Sequence, residues 1–293
     1  MINMIDLKIH ADIKLKAHAN NIALPHMIFA LPFAFMASLL VTHGNYEPWT
    51  LFLIFAAVTS ARSAALAINN LVDLKYDRLQ PRMANRAMVK GELKKSDSLA
   101  FIVMCLATLI LAVYQLPPVC MKLLPIAAAA FIIYPFTKRF TGWCHMFLGV
   151  AIAMAPAGGW IASGGWFDLP MILLCTAVAL WIGAFDAIYG AQDRAFDKSQ
   201  HLHSFATEFG VEGALKLTRA MHLISVACFT AVGVLTDVGA LYYVGVLIAA
   251  LTLVYQHSIV SPNDFSRVTQ VYFMRNGIVS IAMLIFTWLS LIH

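Results

Sequence analysis

Long apolar runs separated by short polar connections fill the chain from about residue 22 to its end. Nine such runs fall near residues 22–43, 49–68, 98–116, 119–137, 143–163, 169–189, 219–236, 238–257 and 270–291. Each holds roughly 18 to 22 residues, enough for a helix to cross a hydrocarbon core of roughly 30 Å. The pattern therefore predicts an all-α polytopic membrane protein with about nine transmembrane helices. No linker, low-complexity tract or break in composition divides residues 1–293, so the expectation is one membrane-embedded domain.

Composition agrees: 61% of residues are hydrophobic and only 12% charged, with mean hydropathy +0.77. A soluble domain of this length does not have that balance. The first 20 residues are too polar for a signal-peptide core, so the first apolar run reads as a retained span. Lys8, Lys14 and Lys16 precede that span, and most other basic residues follow spans 2, 4, 6 and 8, with Lys122 alone on the opposite side. The positive-inside rule then puts the N-terminus and the even-numbered connections in the cytoplasm. The net charge of +5 is thus mainly a topology signal, and nucleic acid is not an expected partner. Five cysteines, at 105, 120, 144, 175 and 228, stand singly in apolar spans with no C-x-x-C pair and read as core thiols.

Two long connections depart from this generic picture: NNLVDLKYDRLQPRMANRAMVKGELKKSD after span 2, and DAIYGAQDRAFDKSQHLHSFATEFGVEG after span 6. Asn69, Asp73 and Asp77 step by four and share a helix face, and Tyr189, Asp193 and Asp197 are spaced the same way. Asp73 and Asp193 are 193 − 73 = 120 residues apart, as are Asp77 and Asp197, which makes a weak internal repeat. Spaced carboxylates repel along a helix and are costly near a membrane. A hard divalent cation offsets that cost, and Mg2+ is commonly shared between one or two carboxylates and a substrate's phosphates. Asp73, Asp77, Asp193 and Asp197 are accordingly candidate metal ligands for a metal-bound diphosphate.

Arg82, Arg86, Lys138, Arg139, Arg194 and Lys198 flank these acids and can neutralise phosphate oxygens. Lys138 and Arg139 are also explained by topology alone, since such connections are basic in any case. Arg62 lies inside an apolar run seven residues before Asn69, on roughly the same face. It reads as a contact to a substrate carboxylate or diphosphate, or as an arginine that snorkels to the interface or pairs with an aspartate. His26 and His145 are either hydrogen-bond donors to an aromatic acid or satisfied structural histidines. Asp186, Tyr189 and Gln192 fall near the second acidic step and are candidate site residues. An ion-coupled transporter is a competing class, but it predicts acids near mid-span rather than at helix ends. A non-catalytic scaffold leaves two matched acidic clusters unexplained.

The first segment resembles the N-D-x-x-D-x-x-x-D signature of the UbiA superfamily of intramembrane prenyltransferases, and the second its D-x-x-x-D partner in the form Y-x-x-Q-D-x-x-x-D. The likeness covers nearly the whole chain, since that family has nine transmembrane helices with both motifs in cytoplasmic connections after helices 2 and 6. Two departures stand out: Asn70 replaces the first aspartate, which puts its role as a ligand in doubt, and His201 stands where relatives often carry glycine. The resemblance implies Mg2+-dependent transfer of a polyprenyl group from polyprenyl diphosphate to an aromatic ring. Arg62, Asn69, Asp73, Asp77, Asp193 and Asp197 would be catalytic, and arginines at the offsets of Arg62 and Arg86 would line the substrate pocket. ALPHMIFALPFAF, ARSAALAINN, YPFTKRFTGWCH and QDRAFDKSQHLHS look most like the 4-hydroxybenzoate polyprenyltransferase-like branch. That branch implies an aromatic acid acceptor in respiratory quinone synthesis at the bacterial inner membrane. FALPFA and LHS lean towards a subgroup that prenylates a naphthoate or aminofutalosine-type acceptor in the futalosine route to menaquinone.

Overall fold

The computed structural model describes His18 and residues 29–292, the side chains of 269–275 excepted. His26, Lys8, Lys14 and Lys16 lie outside the described residues. Among the described residues nine main helices follow one another: α1 Leu31–Val41, α2 Pro48–Asp77, α3 Lys95–Tyr114, α4 Pro118–Thr137, α5 Cys144–Ala162, α6 Leu169–Gly190, α7 Phe205–Leu235, α8 Leu241–Ser258 and α9 Val268–Ile292. No β-strand occurs among the described residues, only an isolated bridge between Ser261 and Asp264. Seven of the nine are long and apolar enough to cross a membrane; α1 and the Asn276–Ile292 part of α9 are shorter apolar helices. All five cysteines are free.

Local chemistry sets several of the helix starts. Pro48 opens α2 with no helical N–H to lose, and the Asp168 side chain caps α6 by accepting from the Met171 amide at 3.0 Å. Ser204 and Thr207 form a reciprocal capping box at the start of α7. That box begins the helix well before residue 219, where the apolar run starts, so FATEFGVEG is helical rather than loop. Gly210, at φ 72° and ψ 168°, breaks the helix inside that stretch, a conformation only glycine adopts readily.

Helix α1 packs against α2, α5 and α9, while α2 pairs with α3, α6 with α5 and α7, and α8 with α9. Its centre is aromatic: Phe33 stacks on Phe229 with centroids 5.4 Å apart and tilts against Trp181 at 5.3 Å. The Trp181 indole satisfies its N–H on Asn276 Oδ1 at 2.9 Å. Helix α5 approaches two neighbours through glycine. A Cβ at Gly159 would overlap the Ala34 backbone, and one at Gly149 the Ala179 backbone, so small residues let these helices touch. The outward faces carry exposed apolar side chains such as Leu111, Ile126, Leu223, Val234 and Val254. A continuous apolar exterior of this kind belongs in lipid, and the chain is an integral membrane protein.

Candidate active site

Helix α2 extends past its apolar segment and carries the first acidic step at its end. Asp73 and Asp77 are 4% and 6% exposed, Asn70 is buried and Asn69 half-buried. Lys138, just beyond α4, donates from Nζ to Asp73 Oδ2 at 2.8 Å. Arg139 lies 3.6 Å from Asp73 Oδ1, donates to the Val72 carbonyl at 3.1 Å, and rests over the rings of Phe136 and Tyr76. The chain then doubles back through a 3-10 turn at Pro81–Met83 and a one-turn helix at Ala87–Lys90. That return lets Arg86 Nη1 donate to Asp77 Oδ2 at 2.5 Å.

The second acidic step differs from its expected form. Helix α6 ends at Gly190, tightens into a 3-10 turn at Ala191–Asp193, and resumes as the short helix Arg194–Ser199. Tyr189, Asp193 and Asp197 therefore do not share one continuous α-helical face. Glycine is a poor helix former, and the tighter turn re-aims Asp193 towards the first motif. There its carboxylate accepts from Arg82 and from Gln80 Nε2, the latter at 2.7 Å, joining segments 193 − 80 = 113 residues apart. Arg82 also lies over the Tyr189 ring, 4.7 Å from its centroid. Gln192 turns back to the Tyr189 carbonyl at 2.9 Å, and Arg194 is tied to the Ala206 carbonyl at 2.8 Å. Lys198 is exposed and His201 has φ 54°, the left-handed region that glycine enters without strain.

Below the motifs, Arg62 is buried at 7% exposure and its Nε has no hydrogen-bond partner. It does not snorkel out. It sits on the wall of an apolar cavity of about 460 Å³, bounded by residues such as Ile54, Val113, Phe131 and Ala153. Among the described residues, Arg62 is the only charged one lining that cavity. Tyr134 and Asp186 are within electrostatic range of Arg62. Asp186 Oδ2 is 2.7 Å from His145 Nδ1, so these two candidates form a pair. Sequence reasoning missed Gln80, which carries no local signal, and Tyr134, which is buried within electrostatic range of Arg62, Asp73, Asp186 and Arg86. Its position four residues before Lys138, hence on the same face of α4, is the available clue.

Among the described residues no three His, Cys, Asp or Glu side chains group into a self-contained metal site. Mg2+ does not require one, because one or two carboxylates with substrate phosphates and water suffice. Asp73 Oδ1 is buried and accepts no hydrogen bond, a hard oxygen donor that faces the Arg139 guanidinium at 3.6 Å. The donor chemistry thus fits a Mg2+–phosphate group.

The UbiA prenyltransferase family model matches residues 30–278. A 4-hydroxybenzoate octaprenyltransferase from Vibrio parahaemolyticus serotype O3:K6 is 27% identical, over 86% of this chain and 89% of its own. A UbiA homolog from Aeropyrum pernix K1, solved in its apo form, superposes with TM-score 0.78 at 29% identity, covering 91% of this chain and 97% of that one. A UbiA homolog from Archaeoglobus fulgidus bound to GPP and Mg2+ shares the fold at TM-score 0.70 and 18% identity, covering 94% of this chain and 100% of its own. With paired acidic segments joined above an apolar cavity and a family match over most of its length, the chain belongs to the UbiA prenyltransferase family.

Proposed function

We propose that this prenyltransferase moves a polyprenyl group from polyprenyl diphosphate onto a phenolic aromatic acid of the 4-hydroxybenzoate type, as one membrane-embedded domain spanning residues 1–293. The step serves respiratory quinone synthesis at the bacterial inner membrane, with the N-terminus and the active site on the cytoplasmic side. One observation carries this reading: basic residues pin both acidic segments together at the end of the helix whose Arg62 is, among the described residues, the one charged side chain on the wall of an apolar cavity. The names of the 27%-identical relative and of the GPP- and Mg2+-bound homolog support the acceptor class, the prenyl diphosphate and the metal.

Asp73, Asp77, Asp193 and Asp197 would hold Mg2+, which when bound takes up negative charge on the departing diphosphate. Arg82, Arg86, Lys138 and Arg139 meet the remaining phosphate charge, exchanging carboxylate partners for phosphate oxygens at similar charge-assisted strength. The isoprenoid tail occupies the apolar cavity, where no water competes for the allylic cation formed as the C–O bond ionises. Arg62, charged and lacking a partner at Nε, takes the acceptor's carboxylate beside Asn69. Tyr189 and Gln192 shape the wall at the second motif.

The test is detergent-purified protein incubated with a polyprenyl diphosphate, with and without Mg2+, offering 4-hydroxybenzoate and a dihydroxynaphthoate in parallel. Mg2+-dependent prenylation of 4-hydroxybenzoate is expected. Preference for the naphthoate would move the enzyme to the menaquinone branch, and no transfer to either by folded protein would refute the acceptor class.

A further inference from the structure

Attack of an aromatic ring on an allylic cation leaves one proton that must be removed, and the acidic motifs are committed to cations. The pair between α5 and α6 has the form of a base. His145 Nδ1 meets Asp186 Oδ2 at 2.7 Å, which orients the ring; with the proton on Nδ1, Nε2 presents its lone pair. His145 is 5% exposed and Nε2 has no hydrogen-bond partner, an unusual state for a buried imidazole nitrogen. The ring is fixed edge-on to Phe205 with centroids 5.1 Å apart. Gly190 packs against the ring: a Cβ there would stand 3.1 Å from Cε1 and 3.9 Å from Nε2, so only glycine fits beside it without a shift.

Placement agrees with that role. Asp186 is within electrostatic range of Arg62 and Tyr134, and His145 within range of Asp197. The pair therefore links Asp197 of the second motif with Arg62 on the cavity wall. The reacting carbon belongs between those two points.

We infer that His145 is a catalytic base for the acceptor's ring proton and that Asp186 is its positioning residue. This rests on the functional reading above. The C–O bond of the prenyl diphosphate breaks with its electron pair leaving on diphosphate, and the ring carbon ortho to the hydroxyl forms the new C–C bond. The ring proton passes to His145 Nε2, and the C–H electron pair restores aromaticity. The products are the prenylated acid, diphosphate and one proton, with no change in oxidation state. Asp186 carries the balancing negative charge while the imidazolium exists, and the proton then leaves to solvent.

The experiment compares wild type, His145→Gln and Asp186→Asn, each shown to be folded by thermal unfolding, using 4-hydroxybenzoate with and without deuterium at the ring positions ortho to the hydroxyl. A general base is worth roughly 10²–10⁴-fold. His145→Gln should lower kcat roughly 100-fold or more, leave polyprenyl diphosphate affinity within about twofold, and expose a primary isotope effect absent from wild type. Asp186→Asn, which favours the wrong tautomer, should show the same isotope effect with a smaller loss; it carries the test alone if His145→Gln does not fold. Active wild type with variants of unchanged kcat, or with losses confined to diphosphate affinity and no isotope effect, overturns the base and leaves the functional reading standing. Wild type inactive towards any phenolic acid overturns the functional reading, and the base with it.

Discussion

Arg82→Ala separates the two acidic segments at the point where they are tied. Its guanidinium donates to Asp193 and covers the Tyr189 ring at 4.7 Å, with side-chain exposures of 28% for Arg82 and 18% for Asp193. A hydrogen bond to a charged group contributes ~1.5–3 kcal/mol. Partial exposure to solvent reduces that to about 1–2 kcal/mol. The cation–π contact adds ~0.5–1 kcal/mol at such a site. The phosphate bond that replaces the Asp193 contact is of similar strength, so losing it together with the cation–π contact is about 1.5–3 kcal/mol, or roughly 10- to 150-fold in affinity for polyprenyl diphosphate. Arg82→Lys keeps the charge but loses the planar fork and the stacking, so it should recover only part of the loss. The assay is equilibrium binding of the diphosphate to purified protein, together with kcat, for Arg82→Ala, Asp193→Asn and the double variant. Because the two side chains touch, their effects should fall short of additive by about 1 kcal/mol or more. Full additivity, or Arg82→Ala binding within twofold of wild type, would refute the idea that this contact organises the diphosphate site.

Asp73→Ala or Asp193→Ala should abolish transfer while membrane insertion and thermal unfolding stay near wild type; turnover by either purified variant would sink the metal–diphosphate assignment. Gly158 lines the cavity with open space at its Cβ position, so Gly158→Phe should shift the preferred isoprenoid to shorter chains without loss of folding, as read from product lengths with a mixture of diphosphates. Gly159 is the contrasting neighbour, because any Cβ there meets the Ala34 backbone. Gly159→Leu should cost about 1–3 kcal/mol or more through overpacking and lower the detergent unfolding temperature by several degrees, whereas unchanged stability would show that α1 and α5 can part.

Hydropathy made the helices legible because each apolar run must cross lipid unaided, so every span reports its own presence. The start of α7 was not legible from that signal: Glu208, Gly210, Glu212 and Gly213 lower the hydropathy of its first turns. There the Ser204–Thr207 capping box, a local hydrogen-bond pattern, was the better guide. Spacing likewise placed Asp73 and Asp77 on one face of α2, where both are buried, but misjudged Asp193 and Asp197, because a period-four argument assumes a helix that Gly190 and the 3-10 turn interrupt. The pairings were harder still. Lys138 and Lys90 are equally what a basic connection provides, yet Lys138 bonds Asp73 at 2.8 Å and Lys90 lies exposed. Periodicity tells which face of a helix a residue occupies, not which other helix that face meets. His145 and Asp186, 41 residues apart, each read as a minor candidate alone; only their meeting turns a buried histidine and an interfacial acid into one chemical unit with a free nitrogen. At 5% exposure that nitrogen has no protein partner, and the cost of leaving it unbonded is itself the argument that a substrate group completes it.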